Sequence, residues 1–137
     1  MILRVVGSGA TPAQVRHLST VPFVDYKGYV PDFAQVSEGV ESGVVPLWAG
    51  AGLKLKTLTM MQMGIPVAAT VHGIEGIDPD EALVVSDDAT VLASKLAITS
   101  SKELHDVGMR GRRFVLERMT SEKFNSNVRA ALDSHLG

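Results

Sequence analysis

Residues 43–76 read GVVPLWAGAGLKLKTLTMMQMGIPVAATVHGIEG and carry the clearest pattern of secondary structure in the chain. Two apolar runs, residues 40–47 and 65–70, flank a segment with helical periodicity over residues 53–63. Short apolar runs bounded by Gly or Pro are typical of buried strands, and a strand–helix–strand order is typical of a parallel pair. Gly64 stands where a left-handed helix end is expected. The stretch therefore predicts a βαβ unit of an α/β protein.

The rest of the chain continues the same alternation of short strands and helices, which favours a parallel sheet with helices on its faces. Thr11 and Pro12 predict the start of a helix, as N-cap and first helical residue. Further strands are predicted at residues 2–6, 21–24 and 82–85, and a helix at 11–18. A short helix is predicted after Pro31, with Phe33 and Val36 on one face. From Asp87 onward the pattern is helical, with interruptions near 99–101, at Gly108 and near 120–121. The sequence thus predicts one Rossmann-like α/β domain over residues 1–137, with a parallel sheet flanked by helices.

Composition and charge exclude several classes of function. With 137 residues, of which 45% are hydrophobic, the chain is long enough for one domain with a substantial core. A net charge of -2 at pH 7 argues against nucleic acid or an anionic membrane as the main partner, and the absence of cysteine excludes disulfides and thiolate chemistry. The most apolar window, residues 58–71, is broken by Gly64 and Pro66 and is too short to span a membrane. We expect a cytoplasmic protein, with peripheral membrane association left open for a longer form.

Three glycine-rich loops follow predicted strands, at residues 7–9, 50–52 and 72–76. In open α/β sheets ligands bind beyond the carboxyl ends of the strands, and glycines there let the backbone approach a ligand closely. Lys54 and Lys56 fall in the first turn of the helix predicted after the second loop, where a cation opposes the helix dipole. An anionic ligand reverses that cost, because the helix N-terminus, the loop amides and the lysines all attract phosphate. The alternative is that both lysines are simply solvated.

Five segments resemble, in order and spacing, the C-terminal domain of GT-B glycosyltransferases of the retaining group 1 family (family 4-like). They are GYVPD at residues 28–32, VVPL at 44–47, GAGLKLK at 50–56, MGIPVAAT at 63–70 and GIEG at 73–76. The resemblance covers most of the chain and implies the Rossmann-like, donor-binding half of a GT-B enzyme, with polysaccharide biosynthesis as the expected setting. It implies binding of a nucleoside diphosphate sugar and transfer of the glycosyl group to an acceptor that the sequence does not identify. No metal or other cofactor is implied.

The resemblance also implies a set of donor-binding residues. Gly52 and the amides after it are expected to meet the diphosphate, with Lys54 or Lys56 nearby, and the loop at residues 73–76 is expected to border the sugar or the nucleotide. With Gly7 added from the loop after the first predicted strand, the expected donor-binding residues are Gly7, Gly52, Leu53, Lys54, Lys56, Thr59, His72, Gly73 and Glu75. The resemblance assigns no catalytic residue and no metal ligand.

Two departures from the family pattern bear on activity. Many members carry a pair of glutamates, one near the glycine-rich loop and one on the following helix that contacts the ribose, and this sequence has Ala51 and Thr59 at those positions. The family's domain also usually begins with a further βα unit that carries a basic pair, and an acceptor-binding domain precedes that unit. We expect this chain to be the donor-binding part of a larger enzyme and to transfer no sugar alone, because the active site of a GT-B enzyme lies in the cleft between two domains.

The sequence leaves one other function and several residue roles open. A non-catalytic α/β module for nucleotide binding or protein interaction is the alternative, since the ribose carboxylate is missing. Glu75 is expected either to position a loop or to contact a sugar hydroxyl, and His72 either to contact the donor or to lie in a turn. The arginines of the C-terminal part are expected to form an exposed helix face paired with nearby acidic residues. The arginines are Arg110, Arg112, Arg113 and Arg118, and the acidic residues are Glu103, Asp106 and Glu117.

Overall fold

The computed structural model describes residues 2–50 and 54–120. They form an α/β fold in which parallel strands are flanked by helices, which confirms the predicted fold class. The chain divides into two compact units, Met1–Val40 and Glu41–Gly137, and among the described residues every strand pairs within its own unit. No helix of the described part is both long and apolar enough to cross a membrane.

The first unit contains, in order, β1 (Leu3–Val6), α1 (Pro12–Thr20), β2 (Val24–Gly28) and α2 (Ala34–Ser37). β1 and β2 pair in parallel. The predicted start of α1 is confirmed, because Thr11 is the N-cap and its hydroxyl accepts a hydrogen bond from the Gln14 amide at 3.3 Å. The Gln14 side chain accepts one from the Thr11 amide at 2.8 Å in return, which completes a capping box.

The strand predicted at residues 21–24 begins only at Val24. α1 continues to Thr20, and the Val21 amide still donates to the Leu18 carbonyl at 3.2 Å. The Val24 amide then donates to the Val21 carbonyl at 3.0 Å, so a turn separates helix from strand. The predicted start of the strand is wrong because Val21 and Val24 have the same strand propensity. The hydrogen bond from the Val21 amide to Leu18 ends the helix with Val21 as its C-cap, so the strand begins later.

Charged side chains join the elements of the first unit. Arg4 in β1 donates to the Val36 carbonyl of α2 at 2.8 Å and forms an ion pair with Asp25 of β2 at 3.3 Å. Asp25 also pairs with Lys27 at 3.0 Å. The hydrogen bond from Lys27, and with it the one from Arg4, holds the pKa of the Asp25 carboxyl below its usual value. This carboxylate is therefore charged at neutral pH and can hold both cations.

The second unit contains, in order, β3 (Gly43–Val45), α3 (Leu55–Gln62), β4 (Val67–Ala69), β5 (Val84–Val85), α4 (Ala89–Ile98) and α5 (Ser101–Arg118), with short 3₁₀ helices at His72–Ile74 and Pro79–Glu81. β4 lies between β3 and β5, and both pairings are parallel. The register places Val45, Ala69 and Val85 side by side at the carboxyl ends of the strands. The loops that follow these residues therefore meet at one edge of the sheet, which we call the carboxyl edge.

The helix α3 begins at Leu55, two residues later than predicted, and Lys54 is its N-cap. Its buried face is formed by residues three and four positions apart, as expected for a helix with one side against the core. These residues are Thr57, Met60 and Met61. The left-handed helix end predicted at Gly64 is confirmed by a φ of +76°.

The helix α5 runs through Gly108 without a break, so the interruption predicted there is wrong. A Cβ built on Gly108 lies 2.1 Å from the Gly64 carbonyl oxygen. α5 packs against α3, which ends just before Gly64. Glycine stands at position 108 because a neighbouring backbone approaches closely, and not because a helix ends there.

Two of the acidic residues predicted to pair with the arginines of α5 have lysine partners instead. Arg110 pairs with Glu81 at 3.4 Å, outside α5. Glu103 pairs with Lys95 at 2.6 Å, and Asp106 pairs with Lys102 at 2.8 Å. The Lys102–Asp106 pair has the spacing of one helical turn, and its hydrogen bond raises the pKa of Lys102 and lowers the pKa of Asp106. The predicted arginine pairs of Glu103 and Asp106 are therefore wrong, because lysines lie nearer to both carboxylates.

Candidate functional site

Thr70 joins two of the loops at the carboxyl edge. It follows β4, and its side chain is fully buried. Its hydroxyl accepts hydrogen bonds from the Leu47 amide at 3.0 Å and from the Gly73 amide at 3.2 Å, and it also lies within hydrogen-bond reach of the Leu47 carbonyl. One side chain therefore holds the loop after β3 against the loop after β4.

Asp87 brings the loop after β5 into the same network. Its carboxylate accepts a hydrogen bond from the Val71 amide at 3.0 Å, and its backbone carbonyl accepts one from the Trp48 indole at 3.2 Å. Trp48 follows β3 and Val71 follows β4, so these two contacts link all three loops. The Trp48 side chain remains more than half exposed.

Thr57 ties the helix α3 to the loop after β4. The hydroxyl of this fully buried residue donates to the Gly73 carbonyl at 2.6 Å. Gly73 is itself tightly enclosed, because a Cβ built on it lies 2.4 Å from the Val45 carbonyl oxygen. The N-terminal part of α3 is thus fixed against the 72–76 loop.

Lys54 is buried and has two partners. Its side chain is only 7% exposed, and its Nζ donates to the Gly50 carbonyl at 3.1 Å and lies 3.3 Å from Oε2 of Glu75. The same carboxylate oxygen lies 3.8 Å from Nδ1 of His72, and the His72 and Glu75 side chains are about half exposed. The structure therefore brings together three of the predicted donor-binding residues, and Gly73 lies in the same loop as two of them.

Lys56 and Thr59 are both exposed on α3. Among the described residues, no side chain or carbonyl forms an ion pair or hydrogen bond with the Lys56 ammonium. The Thr59 hydroxyl donates to the Leu55 carbonyl at 2.8 Å, one turn earlier in the same helix. Lys56 is therefore an available cation in the first turn of α3, whereas Thr59 uses its hydroxyl within its own helix.

Comparison with known proteins gives the family. The sequence model of the family described as "Glycosyl transferases group 1" matches residues 1–101 of the 137. The chain belongs to the group 1 glycosyltransferases. No curated protein and no solved structure matches it. The matched residues include the carboxyl edge of the second unit, and family membership supports glycosyl transfer as the general class of activity.

Three predicted donor-binding residues of this group 1 glycosyltransferase are not among the residues described at the carboxyl edge of the second unit. Gly52 and Leu53 lie outside the described residues. Gly7 belongs to the first unit, where its amide donates to the Gly28 carbonyl at 2.9 Å. It lines an open surface pocket of about 660 Å³ formed by residues 5–10, α1 and Tyr26. The glycine-rich loop of the first unit thus borders a pocket of that unit.

Three residues that organise the carboxyl edge of the glycosyltransferase were missed by sequence reasoning: Thr57, Thr70 and Asp87. The two threonines lie in apolar stretches, where a buried hydroxyl must bond to nearby backbone. That signal marks both residues without identifying their partners. Asp87 gives no such signal, because an aspartate next to the N-cap Asp88 is ordinary at a helix start.

Proposed function

We propose that the second unit binds a nucleoside diphosphate sugar at the carboxyl edge, with the diphosphate at the N-terminus of α3, for transfer of the glycosyl group to an acceptor. The observation that carries this proposal is the exposed Lys56, which has no partner in the described residues and lies in the first turn of α3. A cation there opposes the helix dipole, and α3 has no acidic residue in its first turn to offset it. A bound diphosphate removes the conflict, because the helix N-terminus and the lysine both attract it.

Backbone amides at the start of α3 supply further donors. The bond from the Leu58 amide to the Lys54 carbonyl, at 3.1 Å, is the earliest of the helical ladder. The amides of Leu55, Lys56 and Thr57 precede it and have no acceptor within the helix. Together with Lys56 Nζ, these amides are suited to hold the negative charge that develops on the leaving diphosphate during glycosyl transfer.

His72, Glu75 and Lys54 lie around the proposed diphosphate site and have lesser roles in it. His72 and Glu75 border the site from the loop after β4, and His72 contacts the sugar or the nucleotide. Lys54 attracts the diphosphate less than Lys56 does, because the Glu75 carboxylate neutralises its charge. The partners in this scheme are a nucleotide-sugar donor and an acceptor-binding domain, and the reaction takes place in the cytoplasm, without a metal, in the synthesis of a polysaccharide.

Replacing Lys56 with alanine is expected to weaken binding of a nucleoside diphosphate by about tenfold, which is about 1.4 kcal/mol. The variant removes the available cation of the site and the charged hydrogen bond that it offers to a phosphate oxygen. Isothermal titration calorimetry with UDP, GDP and ADP on the 137-residue chain identifies the best-bound nucleotide, and that nucleotide is then used for the variant.

The matched control for this experiment is Arg112→Ala. Arg112 is exposed on α5, and its replacement removes one positive charge from the same unit. Exposed charges away from a binding site are screened by salt, so we expect a change of about twofold or less at physiological ionic strength. Equal losses in the two variants would mean that the diphosphate is attracted only by the general charge of the protein.

A non-catalytic module is the second candidate, and Thr59 is the observation that favours it. Thr59 stands where the resemblance places a ribose-binding glutamate, and its hydroxyl already bonds to the Leu55 carbonyl. Competition calorimetry separates the two candidates. A donor site binds a nucleotide sugar, such as UDP-glucose, GDP-mannose or ADP-glucose, in competition with the matching nucleoside diphosphate. A nucleotide-binding module binds the diphosphate without the sugar nucleotide, and an interaction module binds neither.

A further inference from the structure

The buried ammonium of Lys54 bonds to the backbone of Gly50. Its Nζ donates to the Gly50 carbonyl at 3.1 Å, so the side chain of the helix N-cap reaches back to a residue four positions earlier. Gly50 has a φ of +123°, a conformation that residues with a side chain rarely adopt. The Lys54 ammonium thus bonds to the carbonyl of a glycine held in this conformation.

Glu75 provides the charge that holds this ammonium. Its Oε2 lies 3.3 Å from Lys54 Nζ, and the Lys54 side chain is 7% exposed. A buried cation without a partner is strongly unfavourable, because few water molecules remain to solvate it. Within the described part of the chain, no other carboxylate lies within ion-pair distance of Lys54. Without Glu75, the ammonium is expected to turn toward solvent and to leave Gly50.

The segment that carries Glu75 is well suited to act as a fixed support. It directly follows the 3₁₀ helix His72–Ile74, and the side chains of Ile74 and Ile77 on either side of it are buried. The Ile77 amide donates to the Ile74 carbonyl at 2.9 Å. The Gly73 carbonyl accepts a hydrogen bond from the buried Thr57 hydroxyl, and this bond anchors the same segment to α3. A segment held by buried side chains and hydrogen bonds thus carries the carboxylate that pairs with Lys54.

We propose that Glu75 is a positioning residue that acts through Lys54: it holds the ammonium on the Gly50 carbonyl and so fixes Gly50 and the N-cap of α3 for diphosphate binding. This role depends on the diphosphate site proposed above. It decides between the two roles that the sequence left open for Glu75, because Oε2 is engaged with Lys54 and supports a loop. It also separates the two lysines, since Lys54 holds Gly50 and Lys56 meets the ligand.

The test compares Glu75→Gln, Lys54→Met and the double variant in the 137-residue chain. Binding of the best ligand among UDP, GDP and ADP is measured by calorimetry. We expect Glu75→Gln to bind about tenfold more weakly, which corresponds to about 1.4 kcal/mol. We expect the double variant to match Lys54→Met within about twofold, because two residues that act in one chain of contacts do not give additive losses. The control is Glu117→Gln, which removes an exposed carboxylate from α5 and is expected to leave binding unchanged.

A spectroscopic readout separates positioning from a general loss of stability. The ¹³C shift of the Gly50 carbonyl reports its hydrogen bond to Lys54 in the free protein. We expect it to move in the same direction in Glu75→Gln and Lys54→Met and to stay unchanged in Glu117→Gln. Should Lys54→Met fail to fold, the affinity and the Gly50 shift of Glu75→Gln decide the matter alone.

Three results overturn the role of Glu75 while the wild-type chain binds the nucleotide. The first is unchanged affinity in Glu75→Gln. The second is tighter binding in that variant, which would show that Glu75 only neutralises the charge of Lys54. The third is additive losses in the double variant, which would show that Glu75 contacts the ligand directly. Absence of binding to the wild-type chain would instead contradict the proposed function, and with it the site that Glu75 is said to shape.

Discussion

Replacing Gly108 with alanine is expected to lower the free energy of unfolding of the second unit by about 3 kcal/mol or more. The new Cβ would lie 2.1 Å from the Gly64 carbonyl oxygen and 3.0 Å from its carbonyl carbon. Both are backbone atoms at the end of α3, so they cannot rotate away as a side chain can. α5 must move away from α3, and the buried contacts between these helices are lost. Urea unfolding followed by circular dichroism measures the change.

The matched control for this variant is Gly111→Ala, on the same helix. Alanine favours a helix over glycine at both positions, by about 1 kcal/mol. At Gly111, however, the nearest atom to the new Cβ is the Met61 Cε, at 3.2 Å, and a methionine end adapts readily. We expect Gly111→Ala to change stability by less than about 1 kcal/mol. Similar stabilities for the two variants would contradict the close approach of α5 to the end of α3.

The second large effect is expected for Gly73→Ala, which should lower the free energy of unfolding by about 3 kcal/mol and abolish measurable diphosphate binding. A Cβ on Gly73 would lie 2.4 Å from the Val45 carbonyl oxygen at the end of β3. The loop after β4 must therefore shift, and the Thr57 hydroxyl loses the Gly73 carbonyl that fixes the start of α3. Thermal unfolding and calorimetric titration with UDP, GDP and ADP measure the two effects.

Gly43→Ala is the control for this clash, because the two glycines differ in what a Cβ would meet. At Gly43 the nearest atom is also 2.4 Å away, but it is the Met60 Sδ, on a flexible side chain. We expect a loss of about 1 kcal/mol and unchanged nucleotide binding, since the methionine can adopt another rotamer. If Gly73→Ala were as mild as Gly43→Ala, the carboxyl edge would be less tightly packed than the structure indicates.

Sequence patterns predicted the elements whose ends carry a local chemical signal. Thr11 with Pro12 marked the start of α1, and Gly64 marked the end of α3, because capping depends on residues within one turn. The interruption at Gly108 was wrong for the opposite reason. The glycine there is required by Gly64, which is distant in the sequence, and no local pattern reveals such a contact.

The candidate site was predicted at the level of loops but not of individual contacts. Glycines after predicted strands located the carboxyl edge, since parallel strands bring their carboxyl ends together. Helical periodicity placed Lys54 and Lys56 in the same turn and could not distinguish them. Their different roles follow from Glu75, which lies on the loop after the next strand and pairs with only one of them. The hydrogen bonds of Thr70 and Asp87 that join the loops are also contacts between residues distant in the sequence.

Binding of a diphosphate at the N-terminus of α3 can be observed residue by residue in an NMR titration. The ¹⁵N-labelled 137-residue chain is titrated with UDP, GDP and ADP to millimolar concentrations, and backbone amide shifts are followed residue by residue. We expect at least one nucleotide to shift the amides of Leu55, Lys56 and Thr57 first, with smaller shifts over residues 72–75. Titration of Lys56→Ala should reduce these shifts at equal nucleotide concentration. No shift at the start of α3 with any of the three nucleotides, or shifts confined to α5, would contradict the account.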